Sequence, residues 1–350
     1  MGILHRLYAR RAAEVWETET RLLARLGMVR APVAVQWIVT SACDLHCPHC
    51  YSAAGRRAQG ELTTVEARTL LVDELVRLGR PTFVCAGGEL LLRKDLPGIV
   101  RHAVASGLEW AMHTHGLHVP RLRDFFAEYP PSLAAISLDG TEELHDRFRG
   151  RAGSFRAALE AVRVLKEAGC REVVLGTTIT RANADRVPEL LPVVLESGAD
   201  SWGLHLFAPE ARGNERRELF PTPDQLRRVA AFARRKRSVF HVELCNEWGS
   251  AGADDWLYRD QPFLCGAGRI SCVVTSTGEV VPCTTTDPGE SEGNVRQKPL
   301  SAIWAEGFRR FRERGHGVAS DGLECWLQSR NGNACREHAF GRCRAAGACR

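Results

Sequence analysis

Apolar positions along this chain repeat with two alternating periods. Val33 to Thr40 reads Val-Ala-Val-Gln-Trp-Ile-Val-Thr, whose β-branched content predicts a buried strand. A helix then opens at Thr63 or Thr64 with Glu66 behind it, apolar at Leu70, Leu71, Leu75 and Leu78. The alternation continues with a strand at Thr82 to Ala86, a helix at Leu96 to Ala105, and strands at Glu109 to Thr114 and Ala134 to Leu138. Next come a helix at Ser154 to Ala168, a strand at Glu172 to Thr180, a helix at Val187 to Ser197 and a strand at Ser201 to Phe207. Short connections between alternating elements predict parallel βα units, closed or partly closed as a barrel, with ligands at the carboxyl ends of the strands.

The flanks differ. Within residues 1–32, Val15, Leu22, Leu23 and Leu26 fall at helical spacing and predict an amphipathic helix. After Pro209 an arginine-rich helix from about Thr222 to Arg237 closes the repeating region. Gly-, Pro- and Cys-rich sequence without helical periodicity follows, so the expected units are 1–32, 33–238 and 239–350.

The chain has 350 residues, 25% charged and 44% hydrophobic, the balance of an ordinary globular protein. Its formal charge of +5 comes from scattered arginines, since lysines number four, and gives no basic stripe for nucleic acid. No apolar run approaches the roughly 20 residues that span a bilayer. Residues 1–30 lack a continuous apolar signal segment, so the expected location is cytoplasmic. Clustered cysteines in that compartment point to metal or redox chemistry rather than disulfides.

Three of the 13 cysteines carry most of the chemistry. Cys43, Cys47 and Cys50 lie in Cys-Asp-Leu-His-Cys-Pro-His-Cys-Tyr, directly after the first predicted strand. Three thiolates on so short a loop can hold three corners of a [4Fe–4S] cube and leave one iron open, whereas structural zinc uses two ligand pairs far apart. This spacing resembles the radical S-adenosylmethionine (SAM) superfamily. The resemblance implies a partial (β/α)6 TIM-like barrel of the α/β class. It also implies that SAM chelates the open iron and is cleaved to a 5′-deoxyadenosyl radical, which takes hydrogen from a substrate. His49 stands where relatives place an aromatic residue beside the adenine.

Further motifs extend the likeness. Gly87-Gly88-Glu89 after the second strand is similar to the family's Gly-Gly-Glu-Pro, which binds the SAM amino group, with Leu90 in place of proline. Thr114-His115-Gly116 stands where relatives carry Thr-Asn-Gly, and the cluster of His113, His115 and His118 reads as a polar strand end rather than a second metal site. Ser137-Leu138-Asp139-Gly140, His145-Asp146-Arg147-Phe148-Arg149-Gly150 and Gly153-Ser154-Phe155 resemble radical SAM enzymes with a C-terminal SPASM domain. By that resemblance Ser137 and Asp139 approach SAM, and Thr180 with Asn183 lies near the ribose. Pro209, Arg212 and Gly213 resemble a degraded Pro-x-Gly-Arg turn.

Cys265, Cys272, Cys283, Cys325, Cys335, Cys343 and Cys349 crowd the last 86 residues, too short a segment for its own apolar core, so bonds to metal are expected to hold it. With Gly278 to Cys283 as a hairpin arm, Gly293-Asn294-Val295, Trp304 and Phe308, the region resembles the SPASM domain and implies one or two auxiliary [4Fe–4S] clusters. Seven ligands leave one position short, for which His316, His338 or Cys245 are candidates. Cys85 and Cys170 read as buried small hydrophobes.

The expected activity is that of a radical SAM oxidoreductase or maturase acting on a peptide or protein, supplied with electrons by a flavodoxin or ferredoxin. A tetrapyrrole substrate, in heme or heme d1 synthesis, is the alternative. A non-catalytic iron–sulfur carrier or sensor is the alternative of another class; it would have no need of the Gly-Gly-Glu and Ser-x-Asp-Gly features.

Overall fold

The computed structural model describes residues 29–248, 256–260, 265–284 and 288–312. The predicted helix at residues 8–26, and Cys325, Cys335, Cys343, Cys349, His316 and His338, lie outside the described residues.

One ten-stranded sheet organises the chain, in the order β10-β9-β8-β1-β2-β3-β4-β5-β6-β7. The repeating part uses β1 (Ala34–Ile38), β2 (Thr82–Ala86), β3 (Trp110–Thr114), β4 (Leu133–Ser137), β5 (Glu172–Ile179) and β6 (Ser201–Leu206), each parallel to the next. β7 (Val242–Leu244) adds in parallel to β6, and β8 (Ser271–Val274) in parallel to the other side of β1, with Trp37 opposite Val274. β9 (Glu279–Val281) and β10 (Gly293–Asn294) turn back antiparallel, which makes Gly278 to Cys283 the hairpin arm expected from its sequence. Strands from the Cys-rich segment therefore continue the barrel sheet.

Helices cover the outer face. Thr63 caps the first through a capping box with Glu66; the helix runs through Thr64–Glu66, a π-helical stretch Ala67–Val72, and Asp73–Arg77. The wider π turn rotates the buried face, so Ala67, Leu71, Val72 and Leu75 enter the core fully while the expected Leu70 only packs against it. The helices Leu96–Ala105 and Val187–Ser197 match their predicted bounds. Glu142–Arg149 was not evident as an amphipathic repeat, because it buries just Leu144, His145 and Arg149.

A second departure is Leu300–Glu306, a helix inside the segment expected to lack helical periodicity. Its two turns bury Leu300, Ile303 and Trp304, too short a repeat to stand out. The Trp304 indole donates to the Arg30 carbonyl at 3.1 Å, tying this helix to the lead-in of β1. Trp37, Trp110, Trp202, Trp248 and Trp304 are all essentially inaccessible. Truncating a core aromatic of this kind costs about 3–5 kcal/mol.

Side chains alternate along the strands, with one set in the core between sheet and helices and the other facing the lumen. β5 shows this without interruption, Val173, Leu175, Thr177 and Ile179 being buried and the residues between them partly accessible.

Candidate active site

The three-cysteine loop leaves the carboxyl end of β1 and is pinned to its neighbours by backbone. Cys43 N–H donates to the Gly55 carbonyl at 2.9 Å and Gly55 N–H to the Ser41 carbonyl at 2.9 Å. Glu61, which sequence reasoning missed, holds the loop's entry. Its carboxylate accepts from Thr40 Oγ1 at 2.9 Å, Ser41 N–H at 2.8 Å, Ala58 N–H at 3.2 Å and Arg57 Nε at 2.9 Å. No motif marks Glu61, because two of its four partners are backbone N–H groups, which any residue type supplies. Ala53 sits at φ 47°, a left-handed turn just after Cys50.

From β2, Gly88 N–H donates to the Thr40 carbonyl at 2.8 Å and Glu89 N–H to the Ala42 carbonyl at 2.7 Å. A Cβ on Gly88 would lie 2.2 Å from the Ala42 oxygen, so the double glycine is what lets the second strand end touch the cysteine loop. Glu89 is fully buried and accepts from Leu91 N–H, from Thr114 Oγ1 and from His115 N–H. His115 Nε2 lies 3.1 Å from Glu89 and 3.0 Å from Asp44, and His118 Nε2 lies 3.0 Å from the other Asp44 oxygen. Burial opposes a charged ring at His115, but Glu89 and Asp44 outweigh it and raise its pKa to about 9. Thus His115 and His118 brace the residue beside Cys43.

A second brace comes from β4. Asp139 is fully buried, and burial alone would raise its pKa; Arg149, with His49 and His145, lowers it to about 2. Arg149 Nε and Nη2 lie 2.7 and 2.6 Å from Asp139 Oδ2, while Nη1 is 3.7 Å from Cys47 Sγ. Arg212, after β6, donates to the carbonyls of Cys47 and Ala54 at 3.0 and 2.6 Å. Arg149 belongs to the His-Asp-x-x-Arg-Gly run, so its position was legible although its partner was not.

The residues expected near SAM fall around this loop at the ends of β1 to β5. Gly87, Gly88, Glu89 and Asp139 follow, and Thr114 and Ser137 end, consecutive parallel strands. Asn183 is committed to backbone, its Nδ2 donating to the Asp139 and Thr178 carbonyls at 2.8 Å each and its Oδ1 accepting from Thr180 N–H at 2.7 Å. His49 stacks on Phe148 with centroids 4.6 Å apart, and burial lowers its pKa to about 4. Its buried Nδ1 has no hydrogen-bond partner.

The donor set suits the cluster the sequence implies. Cys47 is buried, Cys43 and Cys50 half-buried, and both of the latter lie near enough for their charges to act on Cys47. Burial raises the Cys47 thiol while the Arg149 cation works in the direction of thiolate. Three thiols, an adjoining guanidinium and a polar atom left open at His49 fit a cube held by three cysteines.

Farther along, Cys272 lies in the apolar core between β1 and its helix cover, its thiol pushed up to about 12 by burial. Cys265 and Cys283 are half-buried. Tyr51, next to Cys50, is pushed up first by burial and then by the charges of Cys50, Cys283 and Glu247, so Cys283 lies close to the three-cysteine loop. Cys85 and Cys170 are 0% and 4% exposed. No described helix is long and apolar enough to cross a membrane.

The Radical SAM superfamily profile matches residues 37–191, and the SPASM iron–sulfur cluster-binding domain profile matches 265–336. An AdoMet-dependent heme synthase of Methanosarcina barkeri is 28% identical over 307 residues, covering 82% of this chain and 87% of that protein. The AdoMet-dependent heme synthase of Oleidesulfovibrio alaskensis is 30% identical over 302 residues, covering 79% of this chain and 76% of its own length. Mycofactocin maturase MftC of Mycobacterium ulcerans is 33% identical over 269 residues, covering 72% and 68%. Among solved structures, anSMEcpe with bound AdoMet and Kp18Cys peptide aligns over 89% of this chain and 98% of its own at a TM-score of 0.66 and 16% identity. These matches bring with them a SAM-binding [4Fe–4S] cluster and auxiliary iron–sulfur clusters, and the chain belongs to the radical SAM superfamily, with a C-terminal SPASM domain.

Proposed function

We propose that this chain cleaves SAM reductively and takes a hydrogen atom from a substrate held in the barrel lumen, and that the substrate is a tetrapyrrole. The observation that carries the first part is the ring of strand ends around the cysteine loop, where the Glu89 backbone is bonded to Ala42 beside Cys43 and Arg149 reaches the sulfur of Cys47. A cluster held by these cysteines, with SAM bound, would supply the electron and the carbon radical.

The protein's own part is positional. Glu89 already binds the His115 cation, and an ammonium group would take the same carboxylate. Asp139 and Asn183 act as positioning residues that fix the β4 and β5 ends. His49, neutral and stacked, offers a flat apolar face to an adenine. Cys283, whose charge acts on Tyr51, would bring an auxiliary cluster toward the same lumen, where it would accept or pass on an electron from a flavodoxin or ferredoxin.

The tetrapyrrole reading is favoured by coverage, since the heme synthases match over most of both chains, and an Fe-coproporphyrin III synthase of Methanosarcina barkeri is 28% identical over 309 residues. The peptide reading is second and is favoured by the 33% identity to the mycofactocin maturase. The test is anaerobic reconstitution with iron and sulfide, then SAM and dithionite, with and without Fe-coproporphyrin III. The expected result is 5′-deoxyadenosine in amounts that rise with the porphyrin, together with a change in porphyrin mass, both lost in Cys47→Ala. Formation of 5′-deoxyadenosine with an unaltered porphyrin would overturn the substrate class; none at all would leave an electron carrier.

A further inference from the structure

Where β6 and β7 close one end of the sheet, an imidazole, a thiol and a carboxylate converge outside the cysteine loop. His205 stands on β6, Cys245 directly follows β7, and Glu247 lies in the single helical turn Asn246–Trp248. Backbone fixes these segments to each other. The Leu204 carbonyl accepts from Cys245 N–H at 3.0 Å and from the Trp248 indole at 2.8 Å, so the turn carrying Glu247 is fastened at both ends to the residue before His205.

The spacing of the donors suits a small cation. One donor atom from each of the three lies within 4.8 Å of the other two, and His205 Nε2 is 3.6 Å from Cys245 Sγ. A tetrahedral zinc ion, with bonds of about 2.3 Å to sulfur and about 2.0–2.1 Å to imidazole, would hold those two atoms about 3.6 Å apart. Both Glu247 oxygens are 3.3 Å from Nδ1, beyond the roughly 2.7–3.2 Å of a normal N–H···O bond, so the ring does not hold the carboxylate tightly and one oxygen can turn to an ion. Thiolate and carboxylate together offset the charge of a divalent ion, and binding would release the thiol proton to solvent.

The surroundings leave room for an ion and a way in. Gly176 and Gly203 are partners across β5 and β6. A Cβ on Gly203 would stand 2.9 Å from the Cys245 sulfur and 3.5 Å from His205 Nε2, and one on Gly176 would stand 3.4 Å from that nitrogen. The His205 and Glu247 side chains keep 40% and 39% of their surface accessible. Charges of Glu247 act on His113 from β3 and on Tyr51 beside Cys50, and Arg259, which acts on Glu247, donates through Nε to the Leu244 carbonyl at 3.2 Å. Two other groups of donors lie as close, but Cys43, Asp44 and His115 belong to the cysteine loop, and Arg237 already pairs with Glu243 and Asp260 beside His241.

We propose that His205, Cys245 and Glu247 form a mononuclear zinc site, separate from the iron–sulfur clusters, with a fourth position left for water or a substrate oxygen. A porphyrin iron, already ringed by nitrogens, accepts a single donor from each face, whereas three converge here; the site therefore does not depend on which substrate the enzyme takes.

Zinc sulfate is the probe, added anaerobically to the chain loaded with iron and sulfide, followed by dialysis against graded chelator. Metal content and zinc-edge X-ray absorption are then measured. The expected result is about one zinc per chain besides the iron, with a single sulfur at about 2.3 Å in its shell. His205→Ala and Cys245→Ser should lose the zinc while iron and sulfide stay at the wild-type level. Glu247→Gln, which keeps an oxygen without its charge, should release zinc at lower chelator concentration, and it keeps the test open should another variant fold poorly. No retained zinc, a shell of several sulfurs, or variants that hold zinc as wild type does would overturn the assignment. Loss of iron and sulfide in Cys245→Ser would also overturn it, by making Cys245 a cluster ligand.

Discussion

The guanidinium of Arg149 grips Asp139 through two nitrogens, at 2.7 and 2.6 Å, in a site where both side chains are shielded from water. The pair sets the charge behind Cys47, since the third nitrogen reaches that sulfur. Removing the cation strands a buried carboxylate, so Arg149→Met should cost on the order of 3–5 kcal/mol in urea unfolding. Arg149→Lys should recover little of it, because a point charge cannot reproduce the fork.

Gly88→Ala should block assembly of the site. The new Cβ meets backbone at 2.2 Å, and neither the Ala42 carbonyl nor the β2 end can yield without breaking the bonds that join them. Iron and sulfide content after reconstitution should fall sharply. Gly55→Ala is the control, with nothing within 4 Å of its added carbon, and should load normally.

Glu61→Ala removes the shared acceptor of Thr40, Ser41 and Ala58 and leaves those donors at the loop entry without it. The expected loss is on the order of 3 kcal/mol. Cluster retention during gel filtration should drop further than the unfolding midpoint does, because the bonds lost belong to the loop and not to the barrel core. Glu61→Gln, which brings an amide donor to face N–H groups, should restore only part of the retention.

Acid should weaken the fold as its buried neutral histidines gain a proton. His145 is 1% exposed and burial is the main reason its pKa falls to about 4 from 6.5. A depressed histidine adds stability that is complete above the unfolded value of 6.5 and is lost as pH falls toward 4. Each such group steepens the decline by up to about 1.4 kcal/mol per pH unit, and His49 adds a second with the same sign. Urea midpoints for the cluster-free chain between pH 7 and pH 4.5 should show the slope, and His145→Gln should flatten it.

The repeating barrel was legible because its signals are local. Helix limits at Leu96–Ala105 and Val187–Ser197 follow from apolar spacing, and the Thr63–Glu66 capping box from two residue types three positions apart. Glu142–Arg149 was not, since its short, mostly polar run holds too few apolar positions for a period. Leu300–Glu306 escaped for the same reason of length, and the turn of the buried face at Ala67–Val72 escaped because a π register leaves no mark on composition.

By itself the sequence determined the chemistry on offer: three thiols close enough along the chain to share one cluster whatever the rest of the fold does, and glycines followed by a carboxylate on the next strand end. Only the tertiary structure decided which charges meet those thiols. Arg149 is 102 positions from Cys47, His115 is 71 from Asp44, and Cys245 is 40 from His205. Contacts at such separations arise from strand order and register, which are properties of the whole sheet and not of any segment read alone.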